Sequence, residues 1–424
     1  MVSGTVVIVG AGVAGLAAAA RVRQAGLRCV VLEAASRIGG RAWTTRPDAL
    51  GGMAFDHGAS WLHASERNHL ASLARACGDT LIDSDAARRE QVFVNGALAG
   101  LDDLASYESA QAAFARAAEM RLGAGQADTS LADATAGLAN PWNATVVTWE
   151  GPIIAAADAR ALSLQDWKAN ELVGSNLEVE GGLGAFLARR LGPAAGPVRL
   201  DTPATRIDRS GRLIRVDTPD GTLACGACIV TVSTGVLASG SIAFAPGLPG
   251  ATQAAIDGLP MGLLTKVALG TAGADRLDLP NSCGIEQRVA AIDDPAMMFI
   301  AWPHGQGHII GFVGGSAAWR LADGGAEAFA RDQLRGLFGS RADTVFPSPA
   351  VVTGWGRDPF TRGAYAYARP GTAGARAILG TPVAGRLIFA GEATRTDGLA
   401  GTVGGAALAG QDAADMAIKA CAAG

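Results

Sequence analysis

Charged residues and long apolar runs are both scarce in this sequence. Only 17% of its 424 residues are charged, the formal net charge is −4, and no basic run occurs, which argues against a nucleic-acid partner. No apolar stretch reaches the roughly 18 residues of a membrane span, and the alanine-rich run Leu16–Ala20 is broken by Arg21 and Arg23. The first strand is expected to begin near Thr5, which leaves no room for a signal peptide. We therefore expect a soluble, cytoplasmic protein that binds no membrane.

Cysteine is also rare, and its spacing does not indicate a metal site. The six cysteines are scattered, and only Cys225 and Cys228 form a CxxC pair. A zinc site would need a second pair of ligands, and this pair runs directly into a strand expected at Ile229–Val232. We expect reduced thiols beside a strand and no bound metal.

Glycine is abundant, and its most informative cluster lies near the N-terminus. The chain has 58 glycines, is 49% hydrophobic and is long enough for two or three domains. Gly10, Gly12 and Gly15, with Ala14 before the last of them, follow the apolar run Val6–Val9 and precede an alanine-rich helical segment. In such a strand–turn–helix unit the glycines form the turn and admit a pyrophosphate close to the backbone. The phosphates then lie at the helix N-terminus.

An acidic residue follows the glycine loop at the distance expected for a dinucleotide site. A second strand, Cys29–Leu32, ends at Glu33, eighteen residues after Gly15. A carboxylate about 20 residues beyond the loop holds a ribose diol in such sites. The strand, glycines, helix, strand and Glu33 in this register predict a dinucleotide-binding unit.

Two arginines and two glycines come directly after this unit. Arg37, Gly39, Gly40 and Arg41 combine close backbone approach with guanidinium groups that neutralise phosphate charge. Alone, these residues would be interpreted as a solvated basic turn. Because they follow the dinucleotide unit in the sequence, we assign them to cofactor binding. An NADP interpretation through Arg37 is weaker, because Glu33 would repel a 2′-phosphate.

The rest of the chain alternates between helical and strand-rich stretches. Residues from about 100 to 175 are expected to be mostly helical, with a break at Gly151-Pro152. Strands are expected between about 263 and 312, followed by a helix at Ala326–Phe338 and a last strand at Arg386–Phe389. The chain thus begins and ends with dinucleotide-type elements. We expect one cofactor domain built from residues 1–80, 180–262 and 355–424, and a second domain built from residues 81–179 and 263–354.

A lysine lies in the middle of an apolar strand. Over Pro260–Leu269 the alternation of a strand places Leu264, Lys266 and Ala268 on one face. An ammonium among such neighbours is costly to bury without a partner. Lys266 is therefore either a surface residue on an edge strand or a functional group, and it is the strongest catalytic candidate in the sequence.

The loop Gly10–Gly15, Glu33 and the segment Arg37–Arg41 together resemble the flavin amine oxidase superfamily, which binds FAD rather than NAD. The segment Asp56–His63 resembles a family segment that is best matched in polyamine oxidases, and the resemblance covers nearly the whole chain through five or six motifs. It implies the α/β amine oxidase fold: a Rossmann-type FAD-binding domain built from discontinuous segments, and an α+β substrate-binding domain.

The resemblance also implies three catalytic residues. Lys266 matches the family's lysine strand, where the lysine holds a water against flavin N5. His63 matches a histidine on the substrate side of the flavin in polyamine oxidases, where its titration would influence the protonation of a bound amine. Tyr365, in the segment after Trp355, resembles the family's aromatic cavity lining. Ala364 stands where covalent monoamine oxidases have a cysteine, so non-covalent FAD is expected.

Further cofactor contacts follow from the same resemblance. We interpret Trp61 as a core aromatic beside the cofactor. The aromatic cage residue of monoamine oxidases is replaced by Thr402, and a histidine common in polyamine oxidases is replaced by Gly404, so a wider or less aromatic cavity is expected. The residues that match FAD-binding positions beyond the first loops are Ala59, Ser60, Trp61, Trp355, Gly391, Glu392, Gly401, Thr402 and Val403.

The activity implied is oxidation of a C–N bond in a primary or secondary amine, polyamine-like or monoamine, to an imine, with O₂ reduced to H₂O₂. An L-amino-acid oxidase is an alternative, but the sequence singles out no arginine for a substrate carboxylate. A desaturase or porphyrinogen oxidase, and a non-enzymatic flavoprotein or chromatin-type demethylase, fit less well. The oligomeric state stays open. So does the carboxylate that would bind a second ammonium, among Glu66, Glu150, Glu171 and Glu178.

Overall fold

The computed structural model of the protein describes residues 4–123, 125 and 127–423. Its β-strands are short and occur along most of the chain. They are β1 (Thr5–Val9), β2 (Arg28–Leu32), β3 (Thr44–Thr45), β4 (Phe55–Asp56), β5 (Trp61–Leu62), β6 (Leu81–Asp83), β7 (Arg89–Val94), β8 (Ala97–Leu98), β9 (Leu177–Val179), β10 (Val198–Arg199), β11 (Arg206–Asp208), β12 (Ile214–Thr218), β13 (Gly221–Cys225), β14 (Ala227–Val230), β15 (Ala243–Ala245), β16 (Leu264–Gly270), β17 (Cys283–Gln287), β18 (Met298–Ala301), β19 (His308–Gly314), β20 (Val351–Val352) and β21 (Leu387–Phe389).

The helices include several long ones and many of one or two turns. They are α1 (Val13–Gln24), α2 (His69–Ala76), α3 (Ser84–Ala87), α4 (Leu101–Gly123), α5 (Leu131–Ala134), α6 (Asn143–Thr148), α7 (Leu164–Ala169), α8 (Leu183–Ala195), α9 (Thr234–Ala238), α10 (Gly250–Gly258), α11 (Gly315–Leu321), α12 (Ala326–Phe338), α13 (Arg341–Val345), α14 (Ala375–Leu379) and α15 (Val403–Ala423). Helix α12 has the bounds expected from the sequence. Within the described ranges, no helix combines the length and the apolar character needed to cross a membrane.

A five-stranded parallel sheet forms one half of the molecule. Its order is β10–β2–β1–β14–β21, so it collects strands from widely separated stretches of chain. β1 is buried on both faces, as is typical of a parallel sheet covered by helices. The α/β fold with a Rossmann-type domain built from discontinuous segments is therefore confirmed. The residue boundaries of the two expected domains stay a prediction.

The first and last long helices pack against each other beside this sheet. The contact between α1 and α15 is close enough that a Cβ at Gly410 would lie 2.0 Å from the carbonyl oxygen of Ala14. Alanines of α15 fill the space between that helix and the sheet, together with Leu16 and Val22 of α1. Small residues thus allow the two helix backbones to approach each other.

A second, mostly antiparallel sheet has seven strands in the order β20–β16–β19–β18–β17–β7–β8. Smaller sheets are β13–β12–β11–β15, β5–β9–β6 and the pair β3–β4. The sheet β5–β9–β6 joins residues on both sides of the expected boundary at residue 80, because β5 pairs with β9. This small sheet therefore crosses the expected domain boundary.

The stretch from α4 to α7 is mainly helical, as expected, but the predicted break at Gly151-Pro152 is wrong. Pro152 lies inside a π-helical segment, Trp149–Ala155, that continues directly from α6. Proline has no N–H to donate and disrupts an α-helix, whereas a wider π turn tolerates the missing bond. The chain therefore continues in a helical path past the proline.

A buried ion pair ties this helical stretch to the C-terminal third of the chain. The Nε and Nη2 atoms of Arg376 in α14 lie 2.6 and 2.8 Å from the two carboxylate oxygens of Asp166 in α7. The two side chains are 4% and 5% exposed. Arg376 also donates to the carbonyl oxygens of Ala366 and Ala393. Removing one partner of such a pair typically costs about 3–5 kcal/mol.

Candidate functional site

The loop after β1 is shaped by glycines that leave no room for side chains. Gly10 has a φ of +99°, and a Cβ at Gly15 would lie 1.9 Å from the Gly10 carbonyl oxygen. The first intrahelical hydrogen bond of α1 runs from Leu16 N to Gly12 O. The amides in the first turn of α1, ahead of Leu16, make no intrahelical hydrogen bond and can bind an anion at the helix N-terminus.

The next glycine loop closes against the first. Gly39 N donates to Ala11 O at 2.8 Å, and a Cβ at Gly40 would lie 3.2 Å from Gly12 Cα. We call Gly10, Gly12, Gly15, Gly39 and Gly40 the glycine cradle. Its members form a concave backbone surface at the end of β1.

Glu33 lies beside the glycine cradle and is already held by backbone amides. Its Oε2 accepts from Ala11 N at 2.6 Å and its Oε1 from Ala35 N at 2.9 Å. Burial raises the pKa of Glu33, and these amides together with Arg37 oppose that shift. Because each carboxylate oxygen has two lone pairs, Glu33 can still accept hydrogen bonds from a ribose diol.

The two arginines that flank the second glycine loop contact the surrounding chain. The guanidinium carbon of Arg37 lies 4.4 Å from the centre of the Trp43 ring, and its Nη1 donates to Gly40 O at 2.7 Å. Nη1 of Arg41 lies 3.0 Å from Oε1 of Glu392. A guanidinium has five N–H donors, so each arginine keeps donors for a phosphate.

Glu392 has a buried polar atom that a ligand would satisfy. The residue is 6% exposed, and its Oε1 accepts from Arg41 and, at 3.0 Å, from Ala366 N. Its buried Oε2 has no hydrogen-bond partner among the described residues, an arrangement that is costly unless a donor is supplied. Glu392 also lines a cleft together with Thr231 and Gly391. A sugar or ribitol hydroxyl would complete the set, so these residues fit FAD.

The start of α15 forms another part of this region. Thr402 caps the helix: its hydroxyl accepts from Gly405 N at 3.0 Å and donates to Leu399 O at 2.8 Å. A Cβ at Gly401 would lie 3.7 Å from Cδ2 of Tyr365, so Gly401 faces the tyrosine ring. Val403 is the first residue of the helix and packs against its neighbours there.

At Gly404 the expected widening of the cavity does not occur. A Cβ at this position would lie 2.7 Å from Oδ1 of Asn68, so the asparagine side chain takes up the space. Asn68 is 1% exposed, caps α2 through a bond from Leu70 N, and donates from Nδ2 to the carbonyl oxygen of His63. A glycine here accommodates a neighbouring amide instead of enlarging the cavity.

Lys266, on β16 between β19 and the short edge strand β20, is buried rather than on a surface edge. It is 4% exposed, and its Nζ donates to Asp56 O at 2.9 Å, Gly58 O at 2.6 Å and Ser60 Oγ at 2.6 Å. Burial lowers the pKa of Lys266 to about 8, while Asp56 and Glu178 act in the opposite direction. These three acceptors match the three donors of an ammonium.

Asp56 supports Lys266 and helix α8 at the same time. Its carboxylate accepts from Leu183 N at 2.9 Å and Gly184 N at 3.1 Å, in the first turn of α8, and from the hydroxyl of Thr44. An acidic side chain at a helix N-terminus satisfies free amides and matches the helix dipole. The carbonyl oxygen that accepts from Lys266 is thus fixed in place by a helix more than one hundred residues away in sequence.

An apolar surface lies next to the lysine strand. It is formed by buried residues of β18, β19 and the π-helical segment, with half-buried neighbours. We call this set the apolar wall; it consists of Trp61, Trp149, Ile153, Leu264, Met298, Ile300, Ile310 and Phe312. The Lys266 Nζ lies 5.7 Å from the centre of the Trp61 ring and 5.8 Å from that of Phe312. The sequence suggested that Trp61 is a core aromatic. In the structure it is half-buried in this wall.

His63 lies beside Trp61 and belongs to a chain of polar side chains. Its ring centre is 6.1 Å from that of Trp61, and its Nδ1 is 2.7 Å from Oδ1 of Asn176. Because Nδ2 of Asn176 faces the carboxylate of Asp85 at 3.1 and 3.2 Å, Oδ1 must accept from His63 Nδ1. Burial lowers the pKa of His63. The neutral imidazole therefore carries its lone pair on Nε2.

Tyr365 is tied to the π-helical segment that contributes to the apolar wall. Its hydroxyl donates to Ile154 O at 2.7 Å, and burial raises the pKa of the phenol. Tyr367 packs against the apolar cluster of the helical stretch instead. Trp355 is 6% exposed and donates from Nε1 to His57 O at 2.9 Å, behind the lysine.

The structure thus brings together residues that the sequence selected and several that it did not. Lys266, Ser60, Trp61 and His63 meet at the apolar wall, and Ala59 lies one residue away, with its amide 3.3 Å from Arg41 O. Asn176 and Asp85 were missed because nothing in their local sequence distinguishes them from surface polar residues. In the described part of the chain, no group of three or more His, Cys, Asp or Glu side chains is arranged to hold a metal ion.

Comparison with known proteins agrees with this arrangement. The sequence profile of the family "Flavin containing amine oxidoreductase" matches residues 13–418. The chain is 28% identical over 457 residues to polyamine oxidase 4 of Oryza sativa subsp. japonica, covering 98% of this chain and 88% of that protein. It is 28% identical over 444 residues to lysine-specific histone demethylase 1 homolog 2 of Arabidopsis thaliana, covering 96% of this chain and 57% of that protein.

The fold is similar to that of a wild-type putrescine oxidase whose structure was solved with putrescine bound. The TM-score is 0.79 at 20% identity, over 97% of this chain and 98% of that one. This likeness confirms the amine oxidase fold. The family match confirms that the cofactor is FAD and that the protein is an oxidoreductase that acts on amines. The buried lysine, the glycine cradle and the apolar wall of this protein are therefore those of a family member. The chain belongs to the flavin containing amine oxidoreductase family.

Proposed function

We propose that this protein oxidises the C–N bond of a primary or secondary amine, polyamine-like or monoamine, to an imine, with O₂ reduced to H₂O₂. The observation that carries the proposal is the placement of Lys266: a buried ammonium that lies near Trp61 and Phe312 of the apolar wall, with His63 on the other side of the Trp61 contact. An amine has both an apolar chain and a proton to lose. The apolar wall can pack against the chain, and the imidazole of His63 can accept the proton.

In this proposal FAD is held by the glycine cradle, Glu33, Arg37, Arg41 and Glu392. When bound, it supplies the acceptor for the hydride equivalent taken from the amine. The amides at the start of α1 would bind the pyrophosphate. The carboxylates would accept sugar and ribitol hydroxyls. We further propose that residues 1–80, 180–262 and 355–424 form the FAD-binding domain, because the five-stranded sheet is assembled from these ranges.

His63 is proposed to control the protonation of the substrate. Only a neutral amine can give up a hydride equivalent, and a bound ammonium must first lose a proton. The Nδ1 atom of His63 donates to Asn176, so Nε2 is the acceptor that could take that proton. Burial, which lowers the pKa of His63, keeps this nitrogen unprotonated near neutral pH.

Lys266 is proposed to order a water beside the reacting atoms, and its hydrogen bond to Ser60 supports a part for Ser60 in this. The donors of the ammonium are used by Asp56 O, Gly58 O and Ser60 Oγ. Two of these acceptors are backbone atoms, whereas Ser60 can rotate. A water could thus replace the Ser60 hydroxyl at Nζ, or accept from that hydroxyl while it stays bonded to Lys266.

The surroundings of the four candidate glutamates indicate which of them could bind a second ammonium of the substrate. Glu66 is exposed and bonded to Ser175, and Glu171 is paired with Lys168 at the surface. Glu150 accepts from Trp167 Nε1 in the helical stretch. Glu178 is the carboxylate in contact with the apolar wall, since it accepts from Trp61 Nε1.

The direct test is a peroxide assay on purified holoenzyme with polyamines, monoamines and L-amino acids. Peroxide from amines with neutral or cationic tails supports the proposal. Oxidation of L-amino acids alone would replace it with an amino-acid oxidase. Flavin reduction by an amine without peroxide on admitting air would mean that O₂ is not the acceptor.

We propose that FAD is bound non-covalently, because Ala364, the residue before Tyr365, offers no thiol to the cofactor. Acid precipitation should therefore release the flavin absorbance into the supernatant, and flavin that stays in the washed pellet would contradict this. A cytoplasmic location is part of the same proposal. The six cysteines are free thiols, which suits a reducing compartment.

A further inference from the structure

A carboxylate–imidazole pair lies one hydrogen bond beyond the apolar wall. Oε1 of Glu178 accepts from Trp61 Nε1 at 3.0 Å, and Oε2 lies 3.0 Å from Nε2 of His304. The side chains of His304 and Glu178 are 20% and 25% exposed, so neither is sealed in the core. Each carboxylate oxygen uses one lone pair in these contacts and keeps another. Glu178 can therefore accept a hydrogen bond from a molecule that lies along Trp61.

His304 is held in place by a strained turn. It lies in the hairpin between β18 and β19, where Trp302 and His304 have φ values of +53° and +51° with Pro303 between them. Its amide donates to Ser282 Oγ at 3.1 Å. Left-handed backbone at non-glycine residues costs free energy and persists where the surrounding structure enforces it. The strain here directs the imidazole at Glu178.

The hairpin that carries His304 is continuous with the apolar wall. Met298 pairs with Phe312 and Ile300 with Ile310, so the wall runs along β18 and β19 from the level of Lys266 toward the turn. Strand residues rise about 3.4 Å each. An extended aliphatic chain of four or more carbons whose reacting amine is near Lys266 would place its far end on the Trp61–Glu178 side.

We propose that Glu178 and His304 form a charge selector for the distal end of the substrate, and that protonation of His304 sets its state. With His304 protonated, the pair is neutral overall and favours a substrate with an apolar tail. With His304 neutral, Glu178 has an unpaired negative charge and favours a second ammonium. This inference rests on the proposed amine oxidation and assigns the substrate class of the same site: diamines at higher pH, with monoamines gaining as pH falls.

The charged groups around the pair are consistent with this assignment. Glu178 faces His304 and, from β16, the ammonium of Lys266. His304 faces Glu178 and, from β19, His308, which burial and His304 keep neutral by lowering its pKa to about 4. The Glu178 carboxylate raises the pKa of His304 above its ordinary value. Of these two histidines, His304 is therefore the one that stays protonated to higher pH.

The test is the ratio of kcat/KM for 1,4-diaminobutane to that for 1-aminobutane, measured on holoenzyme from about pH 6 to about pH 9. Both substrates must lose one proton to react, so that requirement largely cancels in the ratio, and the second ammonium stays charged over this range. We expect the ratio to rise about tenfold with pH, mainly through a lower KM for the diamine, because a charge-assisted hydrogen bond is gained.

Two substitutions separate the roles of the pair. In Glu178→Gln the amide oxygen can still accept from Trp61, but the charge that attracts a second ammonium and raises the pKa of His304 is lost, so the ratio should be low and its rise should move to lower pH. In His304→Asn the ratio should be high at every pH, and asparagine tolerates the left-handed backbone at this position. Glu66→Gln is the matched control, since Glu66 is exposed and bonded to Ser175.

The outcomes distinguish this inference from the function on which it rests. If the wild-type enzyme oxidises neither amine, the proposed function fails and the selector with it. If amines are oxidised but the ratio has the same pH profile in wild type and Glu178→Gln, the proposed function stands and the selector is refuted. A flat wild-type ratio would also refute it.

Discussion

The glycine cradle and the apolar wall reach their shapes by opposite means. In the cradle, backbone lies against backbone: a Cβ at Gly15 would lie 1.9 Å from Gly10 O, and one at Gly40 would lie 3.2 Å from Gly12 Cα. In the wall, side chains from β5, β16, β18, β19 and the π-helical segment meet across long sequence separations. The cradle therefore tolerates almost no added atom, whereas the wall can exchange one side chain for another of similar size. Substitutions in the two regions should fail in different ways.

The largest effect is expected in the cradle, for Gly15→Ala. The added methyl group would meet a carbonyl oxygen that cannot move without opening the turn, so stability should fall by about 3 kcal/mol and flavin should be lost on gel filtration. Gly336→Ala in the exposed interior of α12 is the control, since nothing lies within 4 Å of its added Cβ. That change should stabilise the helix by about 1 kcal/mol. A Gly15→Ala protein with normal flavin content would contradict the account of the cradle.

Lys266→Met should affect the chemistry and leave the cradle intact. Turnover is expected to fall about 100-fold while flavin stays bound, because the methionine fills the space but cannot order a water or donate a proton. Lys168→Met, at the surface beside Glu171, serves as the control and should turn over normally. Equal turnover in both variants would remove Lys266 from the mechanism.

Lys266→Met should also differ from the wild type in how its stability depends on pH. The folded-state pKa of Lys266 is lowered from 10.5 to about 8, so burying its ammonium costs free energy at every pH below about 8. That cost declines as pH rises from 8 toward 10.5, where the unfolded chain also loses the proton. The melting temperature of the wild type relative to Lys266→Met should therefore increase over this interval. A constant difference would mean that the pKa of Lys266 is not lowered.

Asp85→Asn tests the polar chain behind the wall, and we expect a smaller effect of about tenfold on kcat/KM. The carboxylate orients Asn176 and raises the pKa of His63 electrostatically. Without that charge the pKa of His63 should fall further, and the acidic limb of the kcat/KM profile should move to lower pH. Asp102→Asn at the exposed start of α4 should leave the profile unchanged. A shift in the opposite direction would exclude this role for Asp85.

The smallest expected effect concerns Thr402, at the start of α15. Thr402→Ala removes the cap of α15 and should cost about 1 kcal/mol of stability without changing KM for amines. Thr402→Ser keeps the hydroxyl and should restore the loss. A change in KM that serine does not rescue would show that Thr402 contacts substrate through its methyl group.

The sequence was informative where function depends on neighbouring residues. Gly10 to Gly15, Glu33 and the lysine strand lie in continuous segments whose spacing has a geometric meaning, and α12 was delimited from periodicity alone. The Lys266 strand could be assigned because a charge in an apolar strand is unusual. Each of these signals lies within one continuous segment of chain, so it can be recognised without knowing the fold.

What the sequence could not provide are the contacts made between distant segments. His63 and Asn176 are 113 residues apart, and Trp61 and Glu178 are 117 apart. Both contacts arise because β5 pairs with β9, a register that no local pattern encodes. Pro152 was misjudged because proline usually interrupts a helix, and Gly404 because the asparagine that fills its space is far away in sequence.

The contact between α1 and α15 has a consequence for synthesis in the cell. Roughly 380 residues separate the two helices, and a ribosome adding about 5–20 residues per second delivers the second one about 20–80 s after the first. During that interval the nascent α1 lacks its partner, and the central sheet lacks β21. Cofactor loading should therefore be a late event that follows completion of the polypeptide, and chaperones would have an extended period in which to bind the exposed apolar faces.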